Sequence, residues 1–598
     1  MPEPSYTSHT DHRAMINAFK DGNIPPDGPV GSNFENSRPA KHKINRAIIN
    51  ACRNHLASRG KFFVAANIPY YLDEVVHRLY LVDARDNDFI TLLRKWSLFD
   101  GEMITKLVAN EIISHALGAP IHDVHRLSCM SATAIYIWAS RSTMYRITSS
   151  TIEQVFIGTD DVVLINDDLA DLPGLDSLRP HIDTIRPILG DSCTQLHPGL
   201  PITDIITSRW AKDAALAPDQ AQQMFITRFL FMFSAASQTS LWPVTLSTGE
   251  QNSGKSTLYE IILTMLRGKL AEGKKLPSKV DDVVSSVSNT SYAVYDNADG
   301  AIFSRSSKDS LADIFCLIAT GGEYEKRAHY HNNKPFRVNV RNHAALTARV
   351  NNLAESDLLR RTLIFPIEPP DSSNVVEKNS ILKKGITHRA ELFTEILLRC
   401  QNILRAYLAP EPTYRYQSQM AEYEAYTLRC AAYEGSLAEV EAIWSAYMDQ
   451  FREAMAESNS MLWAIKLWLG KHPEKAAVYV TPTEIFTDLQ MIHEETRQKM
   501  TYSNASRFGL NVNTNSTVLR TLNMDFNRTN VARFYSFSPS PDQLAECKAT
   551  YEALLSSAQQ RSNPLNPGLY GARFSTQTRP MPMDDGDDAP RFIQPEDV

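Results

Sequence analysis

The segment WPVTLSTGEQNSGKSTLYEIIL, residues 242–263, constrains the chain more than any other. Val244 to Ser247 reads as a strand, and from Ser256 onward the pattern is that of an amphipathic helix. Between them lie Gly249, four residues, and then Gly254-Lys255-Ser256. A strand that turns through such a loop into a helix directs backbone N–H groups and the helix N-terminus at one point, where an anion is favoured. Glycines at both ends let the backbone close round a phosphate. On this reading Gly249, Glu250, Gln251, Asn252, Ser253, Gly254, Lys255, Ser256 and Thr257 cradle the phosphates of ATP. Lys255 supplies a full charge at the β- and γ-phosphates, and the Ser256 hydroxyl ligates Mg²⁺.

Such a site needs a carboxylate near the metal. In SYAVYDNADG, Asp296 closes a short apolar strand, Tyr292 to Tyr295, and is the expected second metal ligand. An acid to polarise the attacking water often follows that position, but here Asn297 follows instead. The base is therefore Asp299 or Glu250, and the spacing does not choose between them.

A chain of 598 residues exceeds one compact core, so three or four domains are expected. Residues 1–43 read as a flexible leader rich in Pro, Gly, Ser and Asn. Residues 44–204 mix helical and strand patterns, with strands expected at Ala134–Ser140, Met144–Thr148 and Val162–Asn166, and form an α+β domain. Residues 205–375 carry the nucleotide motifs, 376–454 are helical, and 455–540 alternate helix and strand. Residues 541–598 begin with a helix and run into an acidic, Pro-rich tail expected to be disordered.

The seven cysteines form no C-x-x-C pair and no zinc-ligand spacing, which points to a reducing compartment and argues against a zinc-bearing module. No apolar run approaches the ~20 residues of a membrane helix, and Met1 to Lys20 lacks a signal-peptide core. No membrane partner and a cytoplasmic location follow as expectations. The net charge of −7 leaves any contact with nucleic acid to local patches or to a channel.

The order of motifs resembles the phage, plasmid and poxvirus primase-associated ATPases, a branch allied to the superfamily 3 helicases within the AAA+ class. GEQNSGKST, VYDNAD, LIATGGEYEKRAHYHNNKPFRVNVRNHAALTA and ESDLLRRTLIFPIE carry the resemblance, which runs from Phe62 to Phe537. It implies a P-loop AAA+ core of superfamily 3 type, with an N-terminal α+β regulatory domain and a C-terminal winged-helix-like domain. The family's Gly-Gly…Arg…Tyr pattern matches Gly321, Gly322, Arg327 and Tyr330. Its arginine-finger segment matches Ser356, Asp357, Leu358 and Arg361, making Arg361 the implied catalytic arginine, with Arg360 beside it. The family's sensor Asn is not matched: Thr347 stands there, with Asn351 further on. The primase domain of many relatives has no visible counterpart, so a separate primase or replication partner is expected.

In superfamily 3 rings a hairpin before the sensor strand lines the channel. Its counterpart, Gly321 to Arg341, is rich in basic residues, and Asn332-Asn333 fits its turn. Lys326, Arg327, His331 and Lys334 are the expected DNA contacts, following a phosphate backbone without reading sequence; Arg327 has an alternative place at the nucleotide. In residues 455–540, Thr481-Pro482 opens a helix, Ser503 a second one, and ARFYSF a wing strand, while Arg507, Arg520, Arg528 and Arg533 provide a basic face. The function expected is an ATP-driven helicase of phage or mobile-element replication, a ring-forming homo-oligomer (a hexamer) that threads single-stranded or forked DNA. The alternative is an ATP-switched origin-binding or loader ATPase that does not unwind.

Overall fold

A computed structural model describes residues 41–562, apart from 66–67, 98–101, 167, 207–209, 213, 215, 299–310, 328–334, 350–355, 371–374, 459, 497–503, 515–518 and 530–532. The chain divides into two units, Met1–Ser458 and Asn459–Val598.

The centre of the first unit is a parallel sheet of β8 (Val244–Thr248), β9 (Lys274–Lys275), β10 (Tyr292–Asp296), β13 (His343–Ala348) and β14 (Thr362–Pro366). Their spatial order is β14-β8-β13-β10-β9, so the first strand in sequence lies between the last two. Leu246 pairs with Leu346 on one side and with Ile364 on the other. Every residue of β8 and β13 is buried, as expected of parallel strands covered on both faces. Helices Pro218–Phe231, Lys255–Arg267 and Leu311–Thr320 contribute much of that cover.

An antiparallel meander of β4 (Ser128–Met130), β5 (Ile135–Trp138), β6 (Thr143–Ile147) and β7 (Ile152–Phe156) stands beside it. Trp138, Tyr145, Phe229, Leu246, Phe393 and Trp444 belong to one continuous hydrophobic core running from Leu127 to Phe451. Helix Arg389–Leu408 stitches the two layers: Gln401 Nε2 donates to Thr148 O at 2.9 Å and Arg405 Nε to Ser149 O at 2.8 Å. Within it, the fully buried Arg399 donates to Glu395 at 2.8 Å, and Glu395 accepts the Ile202 N–H at 2.7 Å. The expected strand at Val162–Asn166 is absent: the segment makes one isolated bridge, His125 with Leu164, because its backbone meets a loop and not a strand edge. Helices Lys378–Thr387, Arg389–Leu408, Ala421–Glu434 and Leu437–Ser458 occupy the helical stretch that follows β14.

A three-stranded antiparallel sheet of β1 (Gly60–Ala65), β2 (Ile68–Asp73) and β3 (Arg78–Leu81) packs with helices Lys41–Arg59, Asn87–Ser97 and Glu102–Ala116 round a smaller core of Leu56, Tyr71, Phe89, Leu93 and Ile112. The remaining pair, β11 (Glu323–Arg327) and β12 (Pro335–Asn339), forms an antiparallel hairpin just before β13.

In the second unit, helices Ser460–Lys471, Pro482–Thr496, Ala505–Thr514 and Pro541–Ser562 accompany a hairpin of β15 (Met524–Arg528) and β16 (Arg533–Phe537). Thr481 and Glu484 cap the second helix reciprocally, the Glu484 N–H on Thr481 Oγ1 at 3.2 Å and the Thr481 N–H on Glu484 Oε2 at 2.8 Å. The third is capped by Asn504, which accepts the Arg507 N–H at 2.8 Å; Ser503, the expected cap, lies outside the described residues. Helix Pro541–Ser562 crosses Ser460–Lys471 so closely that a Cβ on Gly470 would lie 2.3 Å from Cys547 O. Arg507, Arg520, Arg528 and Arg533 are all exposed. Among the described residues no helix is long and apolar enough to cross a membrane.

Candidate active site

Strand β8 delivers the chain to the carboxyl edge of the sheet beside two strands reached only by long connections, the position where open parallel sheets bind ligands. Residues 249–254 form the loop there, and helix Lys255–Arg267 leaves it. The Gly249 N–H donates to Arg349 O at 3.1 Å, and a Cβ on Gly249 would sit 2.2 Å from Ile367 O, so the loop starts wedged between the ends of β13 and β14. Gly254 has open space round it but a φ of +88°, which alone favours glycine. Asn252, at φ +67°, is one of the residue types that tolerate the left-handed region.

Lys255 is only 8% exposed, and its Nζ donates to Glu250 O at 2.9 Å across the loop. Burial lowers its pKa, Asp296 partly offsets that, and the positive charge of Arg349 lowers it further. An anionic phosphate is what such a cation lacks. The Ser253 hydroxyl is buried with no partner among the described residues. Gly254, Gln251 and Asn252 are exposed and Thr257 is half-buried.

Forty positions along the chain, Asp296 meets the start of this helix: Ser256 Oγ donates to Asp296 Oδ1 at 2.7 Å. The buried Thr347 hydroxyl donates to the same oxygen and accepts the Asn297 N–H at 3.1 Å. Asn297, at φ +55°, turns its side chain back towards Asp296 Oδ2, 3.4 Å away. The two candidate ligands, Ser256 and Asp296, offer oxygens only, and the described residues hold no cluster of three or more His, Cys, Asp or Glu that would cage a metal alone. That suits Mg²⁺, which is usually held by one or two protein oxygens, water and substrate phosphates. Ser256 and Asp296 would hold it; when bound, the ion neutralises phosphate charge. Of the two expected bases, Glu250 is exposed beside the loop, and Asp299 lies outside the described residues.

Arg361 lies at the other end of the sheet. Its carbonyl accepts the Val244 N–H at 2.9 Å, at the start of β8, roughly 16 Å of strand from the loop at its end. Its guanidinium donates to Asp357 O at 2.6 Å and faces Cys316 Sγ at 3.8 Å. Arg361 therefore does not reach the loop of its own chain. Arg360 is half-buried. Lys326 and Arg327 are the last two residues of β11, and His331 and Lys334 lie outside the described residues, as do Tyr330 and Asn351.

Sequence reasoning missed Arg349. It is exposed just past β13, its carbonyl holds Gly249, and its charge is felt at Lys255. A cation directly after the strand ALTA is the signal that could have found it.

A family model described as the actinomycete integrative conjugative element replication protein matches residues 221–403, under a third of the chain and the part that carries this site. No curated protein matches the sequence. Among solved structures, the apo NrS-1 C-terminal region is similar at 8% identity and a TM-score of 0.37, covering 82% of this chain and 99% of that one. Drosophila ORC bound to DNA is similar at 12% identity and 0.15, covering 64% and 88%, and Cdc6p from Pyrobaculum aerophilum at 11% and 0.14, covering 59% and 98%. These scores are too low to carry a fold or an activity from those proteins to this one.

Proposed function

We propose that this protein is a P-loop ATPase of mobile-element replication, and that it uses ATP hydrolysis to translocate on and unwind DNA as a ring. The observation that carries the ATPase reading is the 2.7 Å contact of Ser256 with Asp296, which brings the two expected metal ligands together from the helix after the loop and the end of β10. The buried Lys255 supports it. In this reading Lys255 and the loop bind and orient the phosphates, Ser256 and Asp296 hold Mg²⁺, and Glu250 or Asp299 orients the attacking water. A ring, expected to be a hexamer, is supported by Arg361, whose distance from its own loop leaves it to act on a neighbour's nucleotide. The match to a conjugative-element replication protein supports the replication setting.

The hairpin with Lys326, Arg327, His331 and Lys334 would follow the DNA backbone. The second unit, with its two capped helices, short hairpin and exposed arginines, suits a winged-helix role in origin or partner binding, a separate primase among the partners. A second reading, an ATP-switched loader that does not unwind, is favoured by one residue: Asn297 stands where a catalytic acid often follows the metal aspartate. The deciding experiment measures ATP turnover with and without single-stranded DNA, alongside strand displacement on a forked duplex. DNA-stimulated turnover with displacement is expected. Stimulation without displacement would leave the loader, and no turnover would overturn both readings.

A further inference from the structure

Past β13 the chain keeps step with β8 for one more residue. Ala348 pairs with Thr248, and the Gly249 N–H then donates to Arg349 O at 3.1 Å. Side chains of extended chain alternate between the two faces of a sheet, so Arg349 shares the face of Thr347, two residues before it. That face is turned to the candidate metal ligands, because the Thr347 hydroxyl donates to Asp296 Oδ1. Arg349 thus stands one step beyond Thr347, outside the carboxyl edge of the sheet and beside the first residue of the 249–254 loop. Its positive charge is also felt across the loop, where it lowers the pKa of Lys255.

The side chain of Arg349 is exposed, and among the described residues it has neither a carboxylate partner nor a hydrogen bond. The arginines that hold the fold behave otherwise: Arg341 donates to the carbonyls of Thr239, Ser240 and Thr320, and Arg389 to those of Met265, Ala170 and Asp171. Arg349 and Lys255 bring two like charges to one loop, an arrangement that costs free energy until an anion lies between them. The other donors nearby are already committed. The single Thr347 proton goes to Asp296, and so does that of Ser256. What the end of β13 can offer a phosphate is therefore the guanidinium fork of Arg349, a group suited to binding it through two hydrogen bonds.

We propose that Arg349 binds the terminal phosphate of a nucleotide held by the loop of its own chain, and so makes the site prefer a nucleoside triphosphate to a diphosphate. The proposal rests on the phosphate-loop reading above. It adds a cation distinct from Arg361, which lies at the other end of the sheet. Strand β13 runs between β8 and β10, so its end faces both the loop and Asp296. Mg²⁺ in such sites bridges oxygens of the β- and γ-phosphates, and the phosphate beside Asp296 and the end of β13 is then the terminal one. Lys255 is buried under the loop and serves either nucleotide, whereas Arg349, further out, serves the phosphate that ADP lacks.

The test uses the full chain, the variants Arg349→Ala and Arg349→Lys, and Lys255→Ala as a reference. Fluorescently labelled ADP and a labelled, non-hydrolysable ATP analogue are titrated by anisotropy in the presence of Mg²⁺, and urea unfolding monitors stability. The Arg349 side chain has no partner, and the bond to Gly249 uses its carbonyl, so both variants should be as stable as wild type. Arg349→Ala should bind the triphosphate about tenfold or more weakly, the loss of a hydrogen bond to a charged group, and the diphosphate as tightly as wild type does. Arg349→Lys should recover part of the loss, since it keeps the charge but not the fork. A residue that only supported the loop would weaken both nucleotides alike. An unchanged ratio of triphosphate to diphosphate affinity in Arg349→Ala therefore overturns the proposal. If Lys255→Ala still weakens both nucleotides in that case, the loop reading stands and only the role of Arg349 falls. Wild-type protein that binds neither nucleotide overturns both.

Discussion

Thr347 offers a sharp test of how Asp296, the proposed metal ligand, is held. It is fully buried, donates to Asp296 Oδ1 and accepts the Asn297 N–H at 3.1 Å. Thr347→Val keeps the volume and removes both bonds. A hydrogen bond to a charged group contributes about 1.5–3 kcal/mol and a neutral one about 0.5–1.5, so the fold should lose roughly 2–4 kcal/mol. The larger consequence is functional. Without Thr347, Asp296 keeps only Ser256 and the distant Asn297 amide to orient it, and it can rotate away from the phosphate side. Partners that orient a metal ligand typically change affinity by about 10- to 100-fold. A Mg²⁺ titration of fluorescent ATP-analogue binding should therefore shift its midpoint upward by at least about tenfold, and Thr347→Ser should restore it. A wild-type midpoint in Thr347→Val would refute the idea that Thr347 positions Asp296. The stability loss alone, seen in urea unfolding, would then reduce its role to packing.

Other outcomes follow from the same site and its surroundings. Lys255→Ala should abolish ATP hydrolysis while circular dichroism stays unchanged, because the charge it removes stabilises the transferring phosphoryl group; hydrolysis at the wild-type rate would exclude the loop as the active site. Arg361→Ala should bind ATP normally but turn over about 10³- to 10⁵-fold more slowly if it is an arginine finger. Mixed with Lys255→Ala, it should recover part of the activity at interfaces that pair an intact loop with an intact arginine. No recovery despite proven co-assembly would show that Arg361 does not act across an interface. His343 predicts a pH dependence. Burial first, and then the charge of Arg228, hold its pKa well below the ordinary 6.5. The unfolded chain takes up a proton there below about pH 6.5 and the folded one does not. Stability is thus full above that pH and declines beneath it, by up to ~1.4 kcal/mol per pH unit for this one group. Urea unfolding of His343→Phe between pH 6 and 5 should show a slope smaller by that amount, and an equal slope would show that His343 protonates in the folded state.

The loop was legible in the sequence because its chemistry is local: a strand, two glycines with Lys and Ser, and a helix lie within 22 consecutive residues. The place of Asp296 at the end of β10 was legible because a short apolar run leads into it. Thr347 looked like a mismatch at a sensor position, and its bond to Asp296 appears only once β10 and β13 are neighbours, across 51 positions of chain. Arg349 escaped for the same reason, since its link to Gly249 is a backbone contact between strand ends. The run at Val162–Asn166 misled because β-branched, apolar composition reports burial, which it has at Val163 and Leu164, and not the presence of a partner strand.

The single core beneath the β4–β7 meander and the parallel sheet has a consequence for heredity. Recombination moves segments most readily when each carries its own interior and exposes little where it is cut. A breakpoint between residues 200 and 220, ahead of helix Pro218–Phe231, would strip Trp138, Tyr145 and Ile147 from the same interior as Phe229 and Phe233. Both fragments would then carry bare apolar surface and would tend to aggregate. The meander and the parallel sheet must therefore be inherited together, as one block. Phylogenies drawn from residues before and after that point should agree, and a natural chimera joined there would need a compensating set of changes on both sides of the seam.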